Sequence, residues 1–416
     1  MERRVVVTGL GTVNPLGNSV PEFWENVKNV ENGIGRITRF DASDYTSKVT
    51  GEVKDFHPEQ HIERREVRRL DSFTLYALVA ALEAIEDAGI KPDAVDPDRT
   101  GVILGNGTAG IETLETAWER LFTKSPMSIY PLTVPKMIAN IAPGNIAIRI
   151  GAHGPCYTVV SACSSATDAL GDSYRLIKNG EVDVMVTGGT EAPLAKLGLA
   201  GFCVLQAVST KYNDVPERAS RPFDRDRDGF VIAEGAGILI LEELEHAKKR
   251  GARIYAEFAG HGRTCDANHL TAPHPDGVWA AQAMRLALRS AGLRAEDVDY
   301  INAHGTSTPV NDPIETKAIK TVFGEHAKKL KVSSTKSMIG HMLGAAGGPE
   351  AIVTILAMRE QFFPATRNLE NPDPECDLDY VANKGAKGEI RAALSNSFGF
   401  GGHNSVVLVK QYADRN

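Results

Sequence analysis

Little in this chain invites a disulfide, a metal cage, a nucleotide loop or a membrane. Its five cysteines, at 156, 163, 203, 265 and 376, include no CxxC pair, so neither a disulfide framework nor a zinc site follows from their spacing. Reduced thiols in a cytoplasmic protein are the simpler reading. No stretch reaches the ~18 apolar residues of a membrane helix. Arg3 and Arg4 precede three valines, but the run dissolves at Thr8-Gly9-Leu10-Gly11-Thr12, without the long apolar core of a signal peptide. Gly9-Leu10-Gly11-Thr12-Val13-Asn14 lacks the third glycine of a dinucleotide fingerprint, and neither a Walker A loop nor an HExxH pair occurs. No redox, nucleotide or metal cofactor is therefore expected. The net charge of −7 argues against general polyanion binding, so nucleic acid is not an expected partner.

What is present is a long, ordinary globular composition: 416 residues, 42% hydrophobic and 24% charged, enough for two or three domains or one duplicated fold. An internal similarity favours duplication. Residues 84–96 read AIEDAGIKPDAVD and residues 287–299 read ALRSAGLRAEDVD, and each runs into a β-rich segment ending in Gly-Thr. The shared pattern is amphipathic helix, Ala-Gly stop, Asp-containing loop, buried strand. Both copies open with a strand (5–8 and 254–258) and later feed a strand into a glycine- and alanine-rich helix (158–170 and 331–347). Each is expected to end in an apolar strand, 182–187 and 406–409. The pattern predicts an α/β fold in two halves, 1–252 and 253–416, with helices over mostly parallel sheets. The first half is longer, with insertions at roughly 20–70, 109–135 and 191–235 that are expected to cap a site. The last includes a charged, turn-rich stretch from Arg218 to Asp228.

Four segments carry candidate chemistry. Thr158-Val159-Val160 precedes Ser161-Ala162-Cys163-Ser164-Ser165-Ala166 and then helical periodicity, which places Cys163 at a strand-to-helix turn. A helix N-terminus there favours thiolate and predicts a lowered pKa, with backbone N–H groups for an oxyanion. A lone cysteine is more often a buried structural one. Two histidines change that balance. His304 follows a strand at 299–303, and His341 follows the strand that enters the second glycine-rich helix. Both would project from the carboxyl ends of strands, where open α/β sheets place their sites. Finally, Ser395-Asn396-Ser397-Phe398-Gly399-Phe400-Gly401-Gly402-His403-Asn404 is either a hairpin turn or a backbone shaped to approach a ligand closely.

On these residues the chain resembles the β-ketoacyl-[acyl-carrier-protein] synthases of the thiolase superfamily, most of all the type II elongating enzymes of fatty acid synthesis. The resemblance spans essentially the whole chain and rests on VSACSSATDAL at 160–170, NAHGTSTPVND at 302–312, KSMIGHMLGAAG at 336–347 and NSFGFGGHN at 396–404. It implies a duplicated, five-layered α/β/α/β/α fold and a Cys163-His304-His341 site for decarboxylative condensation of malonyl-carrier with an acyl-cysteine. Phe400 is implied as a gate whose N–H shares the oxyanion with that of Cys163, and Phe398 and Thr108 as substrate-facing residues. Lys336 and Glu350 are implied as the pair supporting His341, with Asp312 as a further support. Thr306 and Thr308 match positions that hold the pantetheine arm, or are simply turn residues. The run Arg64, Arg65, Arg68, Arg69 matches where an acidic acyl carrier protein docks, or is a solvated face. A homodimer through an edge strand near 151–160 is implied, with phosphopantetheine arriving on the carrier rather than bound as a cofactor.

Three positions depart from the family pattern: His403 after the double glycine, Pro349 beside Glu350, and Thr108 where a bulky apolar residue is usual. The rival readings are a polyketide ketosynthase and, in another class, a non-catalytic chain-length-setting partner subunit, which would lack the nucleophile. A coenzyme A thiolase would need a second cysteine near the C-terminal glycine loop, and a cysteine hydrolase would leave His341 surplus.

Overall fold

The computed structural model describes residues 3–91 and 95–413; positions 92–94, inside the first copy of the repeated stretch, lie outside the described residues. Ten strands build the main sheet: β1 (Val5–Val13), β2 (Thr100–Gly105), β3 (Cys156–Val159), β4 (Val184–Glu191), β5 (Gly235–Glu243), β6 (Ala256–Cys265), β7 (Tyr300–Asn302), β8 (Lys331–Ser333), β9 (Ala392–Gly399) and β10 (His403–Lys410). Their spatial order is β8-β7-β9-β10-β6-β1-β5-β4-β2-β3. Each group of five therefore repeats one plan: third, second, fourth, fifth, first. Pairing repeats too. The second strand is parallel to the third and fourth, and the fifth is antiparallel to both neighbours. A short antiparallel ladder, 5–7 with 256–258, joins the groups.

Side-chain alternation along these strands builds the layers. In β2, Val102 and Leu104 face an outer core with α1 (Ser72–Asp87), while Ile103 turns inward. The inner core holds α2 (Ser165–Lys178) and α5 (Gly347–Glu360), enclosed between both sheets. On the far side, Leu394, Val406 and Leu408 meet α3 (Val278–Ala291) and α4 (Asn311–Phe323), while Ala393, Val407 and Val409 turn inward. The result is helix, sheet, helix, sheet, helix, a five-layered α/β fold of thiolase type. α5 is buried from Gly347 through Met358, which is why it reads apolar on every side. Pro349 sits in its first turn, where a missing N–H leaves no hydrogen bond broken.

Three expectations need correction. The sheet is mixed rather than mostly parallel, with four parallel and five antiparallel pairings between neighbouring strands. The runs 182–187 and 406–409 are not counterparts: the first lies mostly in β4, the second in β10, and the true partners are β9 and β5. Strands buried on both faces are continuous apolar runs, so pattern alone cannot say which run matches which. Nor do all the insertions cover a site. Only the third lines the large cavity described below, through Phe202, Leu205 and Phe230 among others. The charged stretch within it is partly interior: Arg221, Asp224 and Arg227 are buried, with Arg221 Nε 3.0 Å from Asp224 Oδ1 and Arg227 NH1 2.6 Å from Asp373 Oδ2.

Candidate active site

Beyond β3 the chain makes one tight 3-10 turn, Ala162–Ser164, before α2 begins at Ser165. Ala162 has φ +51°, a left-handed conformation costing a non-glycine residue about 1–2 kcal/mol. The turn is held locally: Ser164 Oγ donates to Ser161 O at 2.7 Å, and Ser161 N donates to Ser165 Oγ at 2.9 Å. Small neighbours let other backbones close on it. A Cβ on Gly399 would stand 2.7 Å from Ser161 O and 3.1 Å from Cys163 N, so the end of β9 packs directly on the cysteine turn. That contact brings the β9–β10 hairpin, with Phe400 at its turn, over the thiol. The N–H groups of Phe400 and Cys163 both reach the Cys163 sulfur.

The expected lowering of the Cys163 pKa does not hold. Burial pushes the thiol up to about 12, outweighing the nearby Lys336 charge and both backbone donors. Loss of water around a thiolate outweighs the charge and the donors that favour it. The thiol of the free protein is protonated at neutral pH.

His304 lies two residues past β7 on a turn held by one buried carboxylate. Glu315 accepts from His304 N (2.9 Å), Gly305 N (2.8 Å) and Asn396 Nδ2 (3.1 Å). His341 follows β8; its N–H donates to Val231 O at 2.7 Å, and its Nδ1 accepts from Leu343 N at 3.2 Å. An accepting Nδ1 places the proton of a neutral ring on Nε2. That Nε2 is buried with no hydrogen bond among the described residues, and so is His304 Nδ1. The two rings stand 5.4 Å apart at 83°. Both pKa values fall well below the ordinary 6.5, chiefly through burial and secondly through the Lys336 charge, so both imidazoles are neutral. Lys336 is itself buried and ion-paired with Glu350, whose carboxyl burial raises to about 7.

Cys163, His304 and His341 all line one cavity of about 440 Å³. Phe398, Phe400, Thr306, Thr308 and Thr108 share that lining. The Phe398 ring is 5.7 Å from that of His304. Thr306 and Thr308 bond each other at 3.0 Å, and Thr308 Oγ1 also accepts from Asn311 N at 3.2 Å, so they are turn residues that also face the cavity. Lys336, Glu350 and Asp312 stay outside the wall. Asp312 accepts from Phe223 N at 2.9 Å and lies 3.6 Å from Arg227 Nε, which makes it a brace between the third insertion and α4. Arg64, Arg65, Arg68 and Arg69 lie on the surface, on and just after the short helix Arg64–Val67, and none has an ion pair among the described residues.

Two residues of the site went unnoticed in the sequence. Glu191 accepts from Gly107 N (2.7 Å), Thr108 N (3.0 Å), Thr108 Oγ1 (2.6 Å) and Gly344 N (2.9 Å), tying the Thr108 loop to the loop after His341. Glu315 does the same for His304. A carboxylate at the end of a fully buried strand, or one turn into a helix beside a candidate histidine, was the available signal.

Residues 2–247 match the family described as Beta-ketoacyl synthase, N-terminal domain, and residues 255–370 match Beta-ketoacyl synthase, C-terminal domain. The chain belongs to the β-ketoacyl synthase family. As a member it is an acyltransferase of the condensing type. It is 51% identical over 411 residues to a 3-oxoacyl-[acyl-carrier-protein] synthase 2 of Synechocystis sp., covering 99% of each chain. It is 49% identical over 410 residues to a protein of the same name from Staphylococcus aureus, again covering 99% of each. Among solved structures, a type II PKS ketosynthase in complex with its acyl-carrier protein superposes with a TM-score of 0.93 at 37% identity, covering 99% of this synthase and all of that chain. A beta-ketoacyl synthase from Burkholderia phymatum superposes at 0.92, with 34% identity and the same coverage.

Proposed function

We propose that this synthase is a 3-oxoacyl-[acyl-carrier-protein] synthase of fatty acid elongation. The observation that carries the reading is one thiol and two imidazoles on the wall of a single cavity. Cys163 Sγ attacks the thioester carbonyl of an acyl-carrier. The N–H groups of Cys163 and Phe400 hold the oxyanion, and the carrier thiol departs with the proton, leaving acyl-Cys163. Malonyl-carrier then binds and loses carbon dioxide, and its electron pair becomes an enolate. Neutral N–H donors on His304 and His341 hold that enolate oxygen; charged imidazoles would be costly in so dry a place. The enolate carbon attacks the acyl carbonyl, the Cys163 thiolate leaves and takes a proton from solvent, and the product is two carbons longer. Lys336 and Glu350 fix the field and orientation around His341 without touching substrate.

Thr306 and Thr308 are suited to hold the pantetheine arm, Phe398 and Thr108 to line the acyl path, and Phe400 to admit malonyl only after acylation. The four exposed arginines at 64, 65, 68 and 69, uncompensated on a chain of net charge −7, suit an acidic carrier protein. A homodimer would form on β3, the edge strand of the first half, where Tyr157 and, just past the strand, Val160 are exposed. The reading needs no resident cofactor and fits a cytoplasmic enzyme; among the described residues no helix is long and apolar enough to cross a membrane. A polyketide ketosynthase has the same chemistry and a similar structure, but at lower identity. Purified synthase given malonyl-carrier and saturated acyl-carriers of graded length should yield 3-oxoacyl-carriers across several lengths. Failure on every saturated chain, with turnover of poly-3-oxo chains, would move the assignment to the polyketide enzymes.

A further inference from the structure

Behind the cysteine turn, on the side away from the cavity, lies a buried polar chain that the condensation steps do not use. Its visible mark is Gly171, in the middle of α2, where glycine costs about 1 kcal/mol relative to alanine. A Cβ at that position would stand 2.2 Å from His261 Cε1. The helix gives up a side chain so that an imidazole from β6 can lie against its backbone. His261 is buried and neutral, with its pKa lowered to about 3 by burial and by Arg175 and Arg263.

The directions of the hydrogen bonds follow from the chemistry of the groups. Arg175 NH2 is 2.8 Å from His261 Nδ1, and a guanidinium only donates, so Nδ1 accepts. The ring proton is then on Nε2, which donates to Ser405 Oγ at 2.9 Å. The same Nε2 is 3.7 Å from Asp168 Oδ1, a buried oxygen with no hydrogen bond among the described residues. The other oxygen, Asp168 Oδ2, accepts from Ser161 Oγ at 2.6 Å. Ser161 opens the turn: it is two residues before Cys163 and adjacent to Ala162, the residue in the left-handed conformation. Its carbonyl is also the atom against which Gly399 packs.

We infer that Asp168 and His261 are positioning residues for acyl transfer, clamping Ser161 so that Ala162 keeps its strained conformation and Cys163 presents both its sulfur and its N–H to the substrate. Arg175, on the partly exposed face of α2, sets the His261 tautomer and so aims the Nε2–H at Ser405 and toward Asp168. The inference rests on Cys163 being the acyl acceptor. It concerns the first half-reaction only, because His304 and His341 are held by Glu315 and Val231, which lie outside this network.

The test separates the two half-reactions in the full-length synthase. Single-turnover acylation of Cys163 by an acyl-carrier is measured first. Carbon dioxide release from malonyl-carrier is measured second, on enzyme already acylated. Ser161→Ala should slow acylation about tenfold, the size of losing one buried hydrogen bond from the turn, and His261→Leu by a similar factor because Asp168 loses the neighbouring Nε2–H; both should leave carbon dioxide release within about twofold. His261→Gln, which can accept from Arg175 and donate to Ser405, should restore most of the rate. Thermal unfolding of each variant is followed in parallel, and Ser161→Ala, which removes a single oxygen, serves if His261→Leu does not fold. Equal slowing of both half-reactions, or no rescue by glutamine, overturns the inference. If the wild-type enzyme never becomes acylated at Cys163, the functional reading itself fails, and that result is distinct from the others.

Discussion

The segments that follow β3 and β8 occupy equivalent places in the two halves, yet they do opposite things with charge. After β3 the fold strips water from a thiol and keeps it protonated, with backbone donors around it and, among the described residues, no base in hydrogen-bond contact. After β8 it buries a full ion pair, Lys336 with Glu350, and uses that positive charge together with desolvation to keep two imidazoles neutral. On the proposed reading, one scaffold supplies a soft nucleophile from its first copy and electrophilic N–H donors from its second. The difference teaches that strand-end geometry is shared while the chemistry is set by what is buried beneath it.

The comparison can be broken most sharply at the thiol. Cys163→Ala should lower condensation on the order of 10⁴-fold or more, as loss of a nucleophile does elsewhere, with thermal unfolding little changed. Elongation at the parental rate would put the nucleophile in the wrong half. Next in size is the ion pair. Lys336→Met leaves Glu350 buried and uncompensated, and denaturant titration should show a loss of about 3–5 kcal/mol, much of it recovered in Lys336→Met/Glu350→Leu. A double variant as unstable as the single one would mean that packing rather than charge is at stake.

His341→Ala should reduce decarboxylation by about 10²–10³-fold while single-turnover acylation of Cys163 changes far less, because one donor to the enolate is lost. Comparable losses in both steps would erase the division of labour between the halves. Smaller still is the proton linkage. His341 has a folded-state pKa below its unfolded value, so the unfolded chain takes up the proton first as pH falls. The stability this neutral ring contributes is complete above about pH 6.5 and is lost below it, at about 1.4 kcal/mol per pH unit. Buried carboxyls raised to about 7, such as Glu350 and Glu234, work in the opposite direction. The measurement is therefore the difference in unfolding free energy between wild type and His341→Gln from pH 7.5 to 5.5. A difference that does not change with pH would show the ring to be solvated. On the thiol side, alkylation of Cys163 should keep rising about tenfold per pH unit through pH 9, in line with a thiol raised to about 12. A plateau near neutrality would restore the helix N-terminus as the dominant influence.

Local signals in the chain were enough for the α/β class, the duplication, and the cysteine and two histidines at strand ends, because turn glycines, apolar runs and helix starts act over a few residues. The matching of 182–187 to 406–409 failed for the same reason: a strand buried on both faces carries no mark of its neighbours. Three matters belong to the tertiary structure alone. The first is the thiol's protonation, since it is set by burial that only distant segments provide. The second is which insertion covers the cavity. The third is the set of buried polar partners, Glu191, Glu315 and His261, each joining residues roughly 80 or more positions apart in at least one of its bonds. Long-range hydrogen bonds leave little local trace: here a carboxylate closing a buried strand, another one turn into a helix beside a histidine, and the glycine at 171 inside a helix.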